Sequence, residues 1–166
     1  LPRILTESRS GEGIRGWVAG CSTGEEAYTM AMLLQECLDR YEARREFKVF
    51  ATDIDAHALE VAAAGYYPDA IAAELGPTRM SRFFKQRGEG YEVTRSLREK
   101  VIFASHNVLR DPPFTRLDLI SCRNLLIYFQ SEAQKRALAQ FHYALRPHGS
   151  LVLGSSESVA ELGNAF

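Results

Sequence analysis

The stretch that decides the fold is Ala19-Gly20-Cys21-Ser22-Thr23-Gly24-Glu25-Glu26-Ala27-Tyr28, where a turn of small residues leads straight into a helix. The apolar residues just before it predict a short buried strand. A strand that passes through a glycine turn into a helix lets a ligand approach the backbone closely, as in nucleotide-binding α/β folds. We therefore expect an α/β protein whose ligand lies at the turn around Gly20.

Two carboxylates in the first turn of this helix restrict the chemistry of the ligand. A phosphate-binding turn keeps the helix N-terminus electropositive, whereas Glu25 and Glu26 would repel a polyanion. S-adenosylmethionine fits better, because it carries an ammonium, a sulfonium and ribose hydroxyls. The alternative is that both acids only compensate the helix dipole, an effect of a few tenths of a kcal/mol for each.

A further acid follows the next predicted strand. Residues 48–52 predict a strand, and Asp53 stands at its end. In doubly wound nucleotide-binding folds, a carboxylate at this place accepts hydrogen bonds from the adenosine ribose hydroxyls. We interpret Asp53 as this ribose ligand rather than as a simple cap. Asp55 is interpreted as the N-cap of a helix that begins near Ala56.

A later strand, expected over 117–121, brings more polar residues to the same edge. Arg123 and Asn124 come at its carboxyl end, where ligands bind in open α/β sheets. Tyr128 follows one short turn later. Both polar residues could be ordinary loop residues, and Tyr128 could be a core aromatic beside Phe129. Their position at the predicted ligand edge favours a role in the site.

The order of predicted elements indicates a doubly wound sheet. Strands are expected at about 15–19, 48–52, 101–105, 117–121 and 150–153, and the clearest helices at 24–44 and 131–145. Strands that alternate with helices predict parallel pairing. Ser131 is the expected N-cap of the last helix. The charged segment 68–98 breaks the alternation and predicts an inserted small antiparallel element.

Composition excludes several classes of protein. With 166 residues and 46% hydrophobic content, the chain is most simply one domain over 1–166. A net charge of −1 gives no electrostatic footprint for nucleic acid. Three widely spaced cysteines, Cys21, Cys37 and Cys122, argue against a disulfide framework or a metal site and favour the reducing cytoplasm. The sequence has no apolar run long enough for membrane insertion, and from its first residues we expect no signal peptide.

Four motifs, in order along the chain, resemble the CheR-type chemotaxis methyltransferases. They are Ser22-Thr-Gly-Glu-Glu26-Ala-Tyr28, Ala51-Thr-Asp53-Ile-Asp55, Asn107-Val108 and Cys122-Arg-Asn-Leu-Leu-Ile-Tyr-Phe129. This family methylates glutamates of chemoreceptor (methyl-accepting protein) cytoplasmic domains. The resemblance implies a Rossmann-like methyltransferase sheet and a protein-glutamate O-methyltransferase that converts S-adenosylmethionine into S-adenosylhomocysteine.

The resemblance also assigns roles to individual residues. Glu26 would contact the methionine or ribose region of the cofactor and Asp53 its ribose, while Tyr128 would reach the reacting methyl group and the substrate carboxylate. The expected cofactor-binding residues are Gly20, Glu26, Asp53, Asn107, Val108, Arg123 and Asn124, and the expected catalytic residues are Tyr128 and Arg123. Asn107 and Val108 would flank the adenine.

The chain departs from the family pattern at both ends. The family's Thr-x-Phe-Phe-Arg segment, with a catalytic arginine in a helical region, precedes the position of Leu1, and its last strand would follow Phe166. We therefore expect a competent cofactor binder that is a poor methyltransferase by itself. Two runs, Arg116-Leu-Asp-Leu-Ile-Ser-Cys122 and Gly154-Ser-Ser-Glu-Ser-Val159, resemble the branch that is fused to a methylesterase domain, so fused methylesterase or signalling domains are expected partners. The turn Arg87-Gly-Glu-Gly90 is shorter than in enzymes that dock a receptor tail.

Two other classes of protein share features of this sequence. A nicotinamide-dependent dehydrogenase would share the architecture, but Gly20 and Gly24 do not form the G-x-G-x-x-G turn, and no tyrosine is followed four residues later by lysine. A non-catalytic S-adenosylmethionine-binding regulatory or scaffolding module stays open as the alternative.

Overall fold

A computed structural model of the chain describes residues 13–157. The elements in chain order are β1 (Ile14–Ala19), α1 (Glu25–Arg40), β2 (Phe47–Asp53), α2 (Ala56–Ala64), β3 (Tyr66–Pro68), α3 (Ile71–Phe83), β4 (Phe84–Arg87), β5 (Gly90–Val93), α4 (Arg95–Arg98), β6 (Val101–Ser105), β7 (Leu117–Cys122), a 3₁₀ turn (Leu126–Tyr128), α5 (Ser131–Ala144) and β8 (Leu145–Leu153). The expectations about the segment before Leu1, the strand after Phe166 and the residues Ser158 and Val159 lie outside the described residues.

Within residues 13–157, the main sheet has five parallel strands in the order β6-β2-β1-β7-β8. From β1 the chain moves outward through β2 to β6, and it then returns to the other side of β1 to form β7 and β8. The predicted doubly wound sheet is therefore confirmed. The strand order reverses beside β1, and ligands of open α/β sheets bind outside the carboxyl ends of the strands at such a switch point.

Each face of the main sheet carries its own apolar core. On one face, Tyr28 and Met32 of α1 are buried against the strands. On the other face, Trp17 of β1 meets Phe141 of α5 edge to face at 5.3 Å. The indole nitrogen of Trp17 donates a buried hydrogen bond to the Thr52 hydroxyl at 2.9 Å, so its polar group is satisfied. The two cores pack against opposite faces of β1 and β2 and so fix the positions of the carboxyl ends of these strands.

The predicted insertion is a separate antiparallel sheet in the order β3-β5-β4. It begins at Tyr66, slightly before the expected position, and it includes α3, which is kinked at Gly76 (φ 74°) before Pro77. The hydroxyl of Tyr67 in β3 donates to the backbone carbonyl of Thr23 at 2.8 Å. The small sheet is thus attached directly to the turn between β1 and α1.

Helices α1 and α5 each differ from the expectations at one end. Helix α1 ends at Arg40 instead of residue 44, because Glu42 adopts a left-handed conformation (φ 49°) and the Ala43 amide bonds back to Leu38. Ser131 is the first helical residue of α5, and Gln130 occupies the N-cap without a side-chain bond, so the predicted Ser131 cap is wrong.

The last described strand is also longer than expected. Strand β8 starts at Leu145, immediately after α5, and contains Pro147 and Gly149. The pairing with β7 shifts register between Leu117 and Leu119, and β8 is the edge strand among the described residues. Proline is tolerated at edges and irregularities because no ladder hydrogen bond is lost there. Within residues 13–157, no helix is both long and apolar enough to cross a membrane.

Candidate functional site

The turn between β1 and α1 is fixed to the end of β2. The amides of Gly20 and Cys21 both donate to the Thr52 carbonyl, at 2.8 and 2.9 Å. The next amide, that of Ser22, donates to the Asp53 carboxylate at 2.8 Å. Three consecutive backbone donors therefore point from the turn to the end of the neighbouring strand.

Glycine is required twice in this turn for geometric reasons. Gly20 and Gly24 have φ angles of 74° and 93°, in the left-handed region. A Cβ atom on Gly20 would lie 3.2 Å from Leu125, and one on Gly24 would lie 2.8 Å from the Cβ of Ala62 in α2. Gly24 thus permits close packing of α1 on α2, while Gly20 brings the turn close to the residues after β7.

The Asp53 carboxylate is oriented by backbone donors on both oxygens. One oxygen accepts from Ser22, and the other accepts from the Asp55 amide at 3.0 Å. Each carboxylate oxygen has two lone pairs, so Asp53 keeps acceptor capacity for hydroxyl groups of a ligand. The Asp55 side chain accepts from the amides of His57 and Ala58, which confirms its predicted role as the cap of α2.

The two glutamates of α1 have different environments. Glu26 is half-buried, and its carboxylate accepts a hydrogen bond of 2.5 Å from the hydroxyl of Ser121, a buried residue of β7. Glu25 is exposed and accepts from the Thr23 hydroxyl at 2.7 Å. Glu26 is therefore directed toward the strand ends at the switch point, and Glu25 remains at the surface of the helix.

The loop after β6 lies beside Asp53. The His106 amide donates to the Asp53 carbonyl at 3.1 Å. The side-chain oxygen of Asn107 accepts from the Leu109 amide at 2.9 Å, so the loop is shaped by its own polar groups. Val108 is 6% exposed and packs in the core with Trp17, which leaves it little surface to offer to a ligand.

Sequence reasoning missed Ile54. This residue follows Asp53 and is 72% exposed, an unusual environment for a large apolar side chain next to a carboxylate. The available signal was an isoleucine placed between two acids, just after the strand ends. Ile54 offers an apolar surface beside Asp53 of the kind that a planar base could cover.

The residues after β7 extend into solvent. Arg123 and Asn124 are exposed, and Asn124 has a left-handed φ of 58°. Tyr128, in the 3₁₀ turn, is 78% exposed, so the alternative that it is a core aromatic is wrong. Phe129, the next residue, packs against the core instead. The turn therefore presents the phenol at the surface of the molecule.

A second residue that sequence reasoning missed is Glu157. Its carboxylate accepts hydrogen bonds from the amides of Asn124, Leu125, Leu126 and Gly154. The sequence offered only an acid in a small-residue run after the last strand, with nothing to indicate a contact more than thirty residues back along the chain.

Two buried thiols and two carboxylates determine the chemistry of this edge of the sheet. Burial, with a contribution from Asp53, raises the pKa of Cys21 to about 12. Burial also raises the pKa of Cys122, with Glu157 as the next cause. Both thiols stay protonated at neutral pH and are poor nucleophiles. The carboxylates of Glu26 and Asp53 leave the edge suited to a ligand with positive charge and hydroxyl groups.

Solved structures with the same fold include methyltransferases. The glycopeptide N-methyltransferase MtfA aligns with a TM-score of 0.54 and 11% identity, over 89% of this chain and 47% of that chain. The Haemonchus contortus phosphoethanolamine N-methyltransferase 1, in complex with phosphoethanolamine and S-adenosylhomocysteine, aligns with a TM-score of 0.52 and 13% identity, over 90% of this chain and 24% of its own. The [4+2]-cyclase SpnF aligns equally well, with a TM-score of 0.52 and 19% identity, over 92% of this chain and 42% of that chain. These similarities establish the fold alone, because one fold supports several chemistries.

Sequence relatives are more specific. The chain is 39% identical to the chemotaxis protein methyltransferase of Escherichia coli, over 95% of this chain and 56% of that protein. It is 35% identical to the corresponding Listeria monocytogenes protein, over 96% of this chain and 58% of that protein. It is 47% identical to an uncharacterised 104.1 kDa protein of Rhodobacter capsulatus, over 98% of this chain and 17% of that protein. The chain thus spans just over half of these two methyltransferases and a small part of the third protein.

The family assignment rests on the whole chain. The family described as CheR methyltransferase, SAM binding domain, matches residues 1–166. That description names the cofactor that the carboxylates at the switch point were expected to favour, and the match includes every motif that suggested the resemblance. The chain belongs to the CheR methyltransferase family and represents its S-adenosylmethionine-binding domain.

Proposed function

We propose that this chain is the cofactor-binding and catalytic core of a protein-glutamate O-methyltransferase that acts on the cytoplasmic glutamates of chemotaxis receptors. The observation that carries the proposal is the pair of oriented carboxylates, Glu26 and Asp53, at adjacent strand ends in a member of the CheR family. The methyltransferase names of the Escherichia coli and Listeria relatives support the same reaction.

The residues at the edge fit S-adenosylmethionine. Asp53 is fixed by two backbone amides and retains acceptor capacity for the ribose hydroxyls. Glu26, held by Ser121, offers negative charge to the amino acid end of the cofactor. Asn107 and the exposed face of Ile54 would border the adenine. Val108 would act by packing the loop from below.

The proposed chemistry needs positioning more than proton transfer. The cofactor supplies a methyl group on a positively charged sulfur. A substrate glutamate has a pKa of about 4.3 and is already ionised at neutral pH, so no general base is required. The protein must remove water from this carboxylate and hold one oxygen about 3 to 3.5 Å from the methyl carbon. Tyr128 and Arg123 are the donors that would hold the other oxygen.

The proposal also covers location and partners. A substrate in the receptor's cytoplasmic domain requires a cytoplasmic enzyme, which agrees with three widely spaced cysteines that are all free. Fused methylesterase or signalling domains belong to the proposal as well. The Rhodobacter capsulatus relative supports this part, because the similar region covers only 17% of a 104.1 kDa protein.

A second candidate is a non-catalytic S-adenosylmethionine-binding module. The observation that favours it is the exposure of Arg123 and Tyr128. Glu26 and Asp53, by contrast, are already oriented by hydrogen bonds. A protein with Glu26 and Asp53 oriented but Arg123 and Tyr128 exposed would bind the cofactor without ordering the acceptor carboxylate.

Two measurements on the full-length protein separate the candidates. The first is calorimetric titration with S-adenosylmethionine and S-adenosylhomocysteine. The second is transfer of labelled methyl from the cofactor to a receptor cytoplasmic domain, with a control domain whose acceptor glutamates are replaced by alanine. Binding with glutamate-dependent transfer supports the enzyme. Binding without transfer supports the non-catalytic module, and absence of binding contradicts both.

A further inference from the structure

The carboxylate of Glu157 is surrounded by backbone amides. One oxygen accepts from Leu125 at 3.0 Å and from Leu126 at 2.8 Å. The other oxygen accepts from Asn124 at 3.1 Å and from Gly154 at 2.7 Å. Charge-assisted bonds of this kind are stronger than those between neutral groups. One side chain after β8 therefore binds three consecutive amides that lead into the 3₁₀ turn, the last of them its first residue, Leu126.

The backbone on both sides is shaped to receive this carboxylate. The first amides of a helical turn have no acceptor within the turn, and here Glu157 supplies one. The left-handed conformation of Asn124 (φ 58°) precedes Leu125, and such a change of hand makes successive amides converge on an anion. A Cβ atom on Gly154 would lie 2.7 Å from the Glu157 carboxylate, so a side chain at this position would displace the carboxylate.

The opposite side of the same turn is held as well. The side-chain amide of Gln134 in α5 donates to the carbonyls of Leu126 and Phe129, both at 3.0 Å. Glu157 thus binds the amides that enter the turn, while Gln134 binds carbonyls at its two ends. The turn presents Tyr128, 78% exposed, whose side chain has little packing of its own to orient it.

We infer that Glu157 is a positioning residue for the proposed methyl transfer, acting through the backbone of the turn that presents Tyr128. The inference rests on the proposed function, since Tyr128 matters only if it holds the acceptor carboxylate. Glu157 itself would touch neither the cofactor nor the substrate. Its three bonds to these amides fix the path of the backbone from Asn124 to Leu126, and this path sets where the phenol stands.

The test compares three variants of the full-length protein. Glu157→Gln keeps the size of the side chain but replaces one acceptor oxygen with a donor, so at least the bonds to that oxygen are lost. Glu157→Asp keeps the charge on a shorter side chain, so its amide exchange and kcat should lie between those of Glu157→Gln and the wild type. Glu132→Gln makes the same chemical change at an exposed residue of α5 and serves as the control.

Three quantities should respond differently to Glu157→Gln. Hydrogen exchange of the amides of Asn124, Leu125 and Leu126 should accelerate by about tenfold or more, because their acceptor is weakened. The kcat for methylation should fall by about 100-fold, the order expected when a reacting group is displaced by about 1 Å. The Kd for S-adenosylhomocysteine should rise by much less than kcat falls, because Glu26 and Asp53 lie on other elements and only the expected contacts of Arg123 and Asn124 adjoin the affected backbone.

The outcomes are distinguishable. Unchanged exchange of these amides would overturn the role of Glu157 in holding the turn. Accelerated exchange with unchanged kcat would show a merely structural role and would equally overturn the inference. If Glu157→Gln loses stability throughout the molecule, amide exchange and kcat are compared between Glu157→Asp and the wild type instead. If the wild-type protein transfers no methyl group, the proposed function fails, whereas amide exchange still reports whether Glu157 holds the turn.

Discussion

The hydroxyl of Ser121 donates a 2.5 Å hydrogen bond to the carboxylate of Glu26, which joins the end of β7 to the first turn of α1. The two residues are 95 positions apart in the chain, and they meet because β1 and β7 are neighbours in the sheet. This bond orients an acid that would otherwise rotate freely at the start of a helix. It also commits one lone pair of Glu26 to the protein, so the remaining lone pairs of the carboxylate are available to a ligand.

Replacing Ser121 with alanine should therefore reduce cofactor affinity without removing any charge. We expect weaker binding of S-adenosylhomocysteine by about 1 kcal/mol, the usual net value of one hydrogen bond, because Glu26 loses its fixed orientation. Calorimetric titration measures this directly. The control is Thr29→Ala in α1, the helix that carries Glu26. This change removes a hydroxyl that donates to the backbone carbonyl of Glu25 and not to Glu26. Equal affinity of Ser121→Ala and the wild type would contradict an orienting role.

Asp53→Ala should weaken binding of S-adenosylhomocysteine by about 1 to 3 kcal/mol, since charged hydrogen bonds to the ribose would be lost. Titration of this variant should be set beside Asp55→Asn. Asparagine is as good a helix cap as aspartate, so that control alters charge two residues away while keeping α2 capped. If Asp53→Ala binds as well as the wild type, Asp53 does not hold the cofactor.

Tyr128→Phe should leave stability almost unchanged and lower methylation. The side chain is 78% exposed, and substitutions of that kind usually change the free energy of unfolding by less than about 0.5 kcal/mol. Urea denaturation and labelled methyl transfer by the full-length protein are the two measurements. Tyr143→Phe, at an exposed tyrosine of α5, is the control for the chemical change. Normal turnover in Tyr128→Phe would exclude the phenol from catalysis.

Gly24→Ala should be among the most damaging substitutions in the turn. The backbone of an alanine at this position would have to adopt the left-handed conformation, which costs about 1 to 2 kcal/mol. Its Cβ atom would lie 2.8 Å from the Cβ atom of Ala62, which adds about 1 to 3 kcal/mol. Gly88→Ala has the same sign of φ but open space around it, so only the conformational cost should appear. Urea denaturation measures both. The contact is confirmed if Ala62→Gly partly rescues Gly24→Ala.

Alkaline pH should destabilise the fold through Cys21. Burial raises the pKa of this thiol from 9.0 to about 12. Below pH 9 the thiol is protonated in both the folded and unfolded states, so its contribution to the free energy of unfolding is fully present. Between about pH 9 and 12 only the unfolded state releases the proton, and stability therefore falls as the pH rises. Comparison of urea midpoints at pH 7 and 10 should show a smaller loss in Cys21→Ala than in Cys37→Ala. An identical loss in both variants would show that Cys21 does not contribute.

The sequence predicted the parts of the molecule that depend on local pattern. Alternating strands and helices indicated the parallel sheet, and Asp55, just before a helix, predicted its cap. The end of α1 was missed because a non-glycine residue, Glu42, takes the left-handed conformation there. The start of β8 was missed because proline is rare inside strands, whereas the edge position of β8 tolerates Pro147.

Contacts between distant residues could not be predicted in the same way. The roles expected for Glu26 and Asp53 followed from their places at strand ends, and those roles remain predictions. The hydroxyl of Ser121 and the carboxylate of Glu157 find their partners only once the sheet has formed. No periodicity or spacing relates Glu157 to the amides that it binds, because the donors are backbone groups that every residue type possesses.

The bond from Tyr67 to Thr23 has a consequence for how the molecule opens. Burial raises the pKa of the Tyr67 phenol, so its hydroxyl stays a donor throughout the neutral range. The small sheet cannot detach without releasing the Thr23 carbonyl. Local unfolding proceeds in cooperative units whose members lose protection together. The small sheet and the glycine turn should belong to one such unit, because the ring of Tyr67 also packs edge to face on Tyr28 of α1. Local opening of the small sheet should therefore expose the residues before α1 as well.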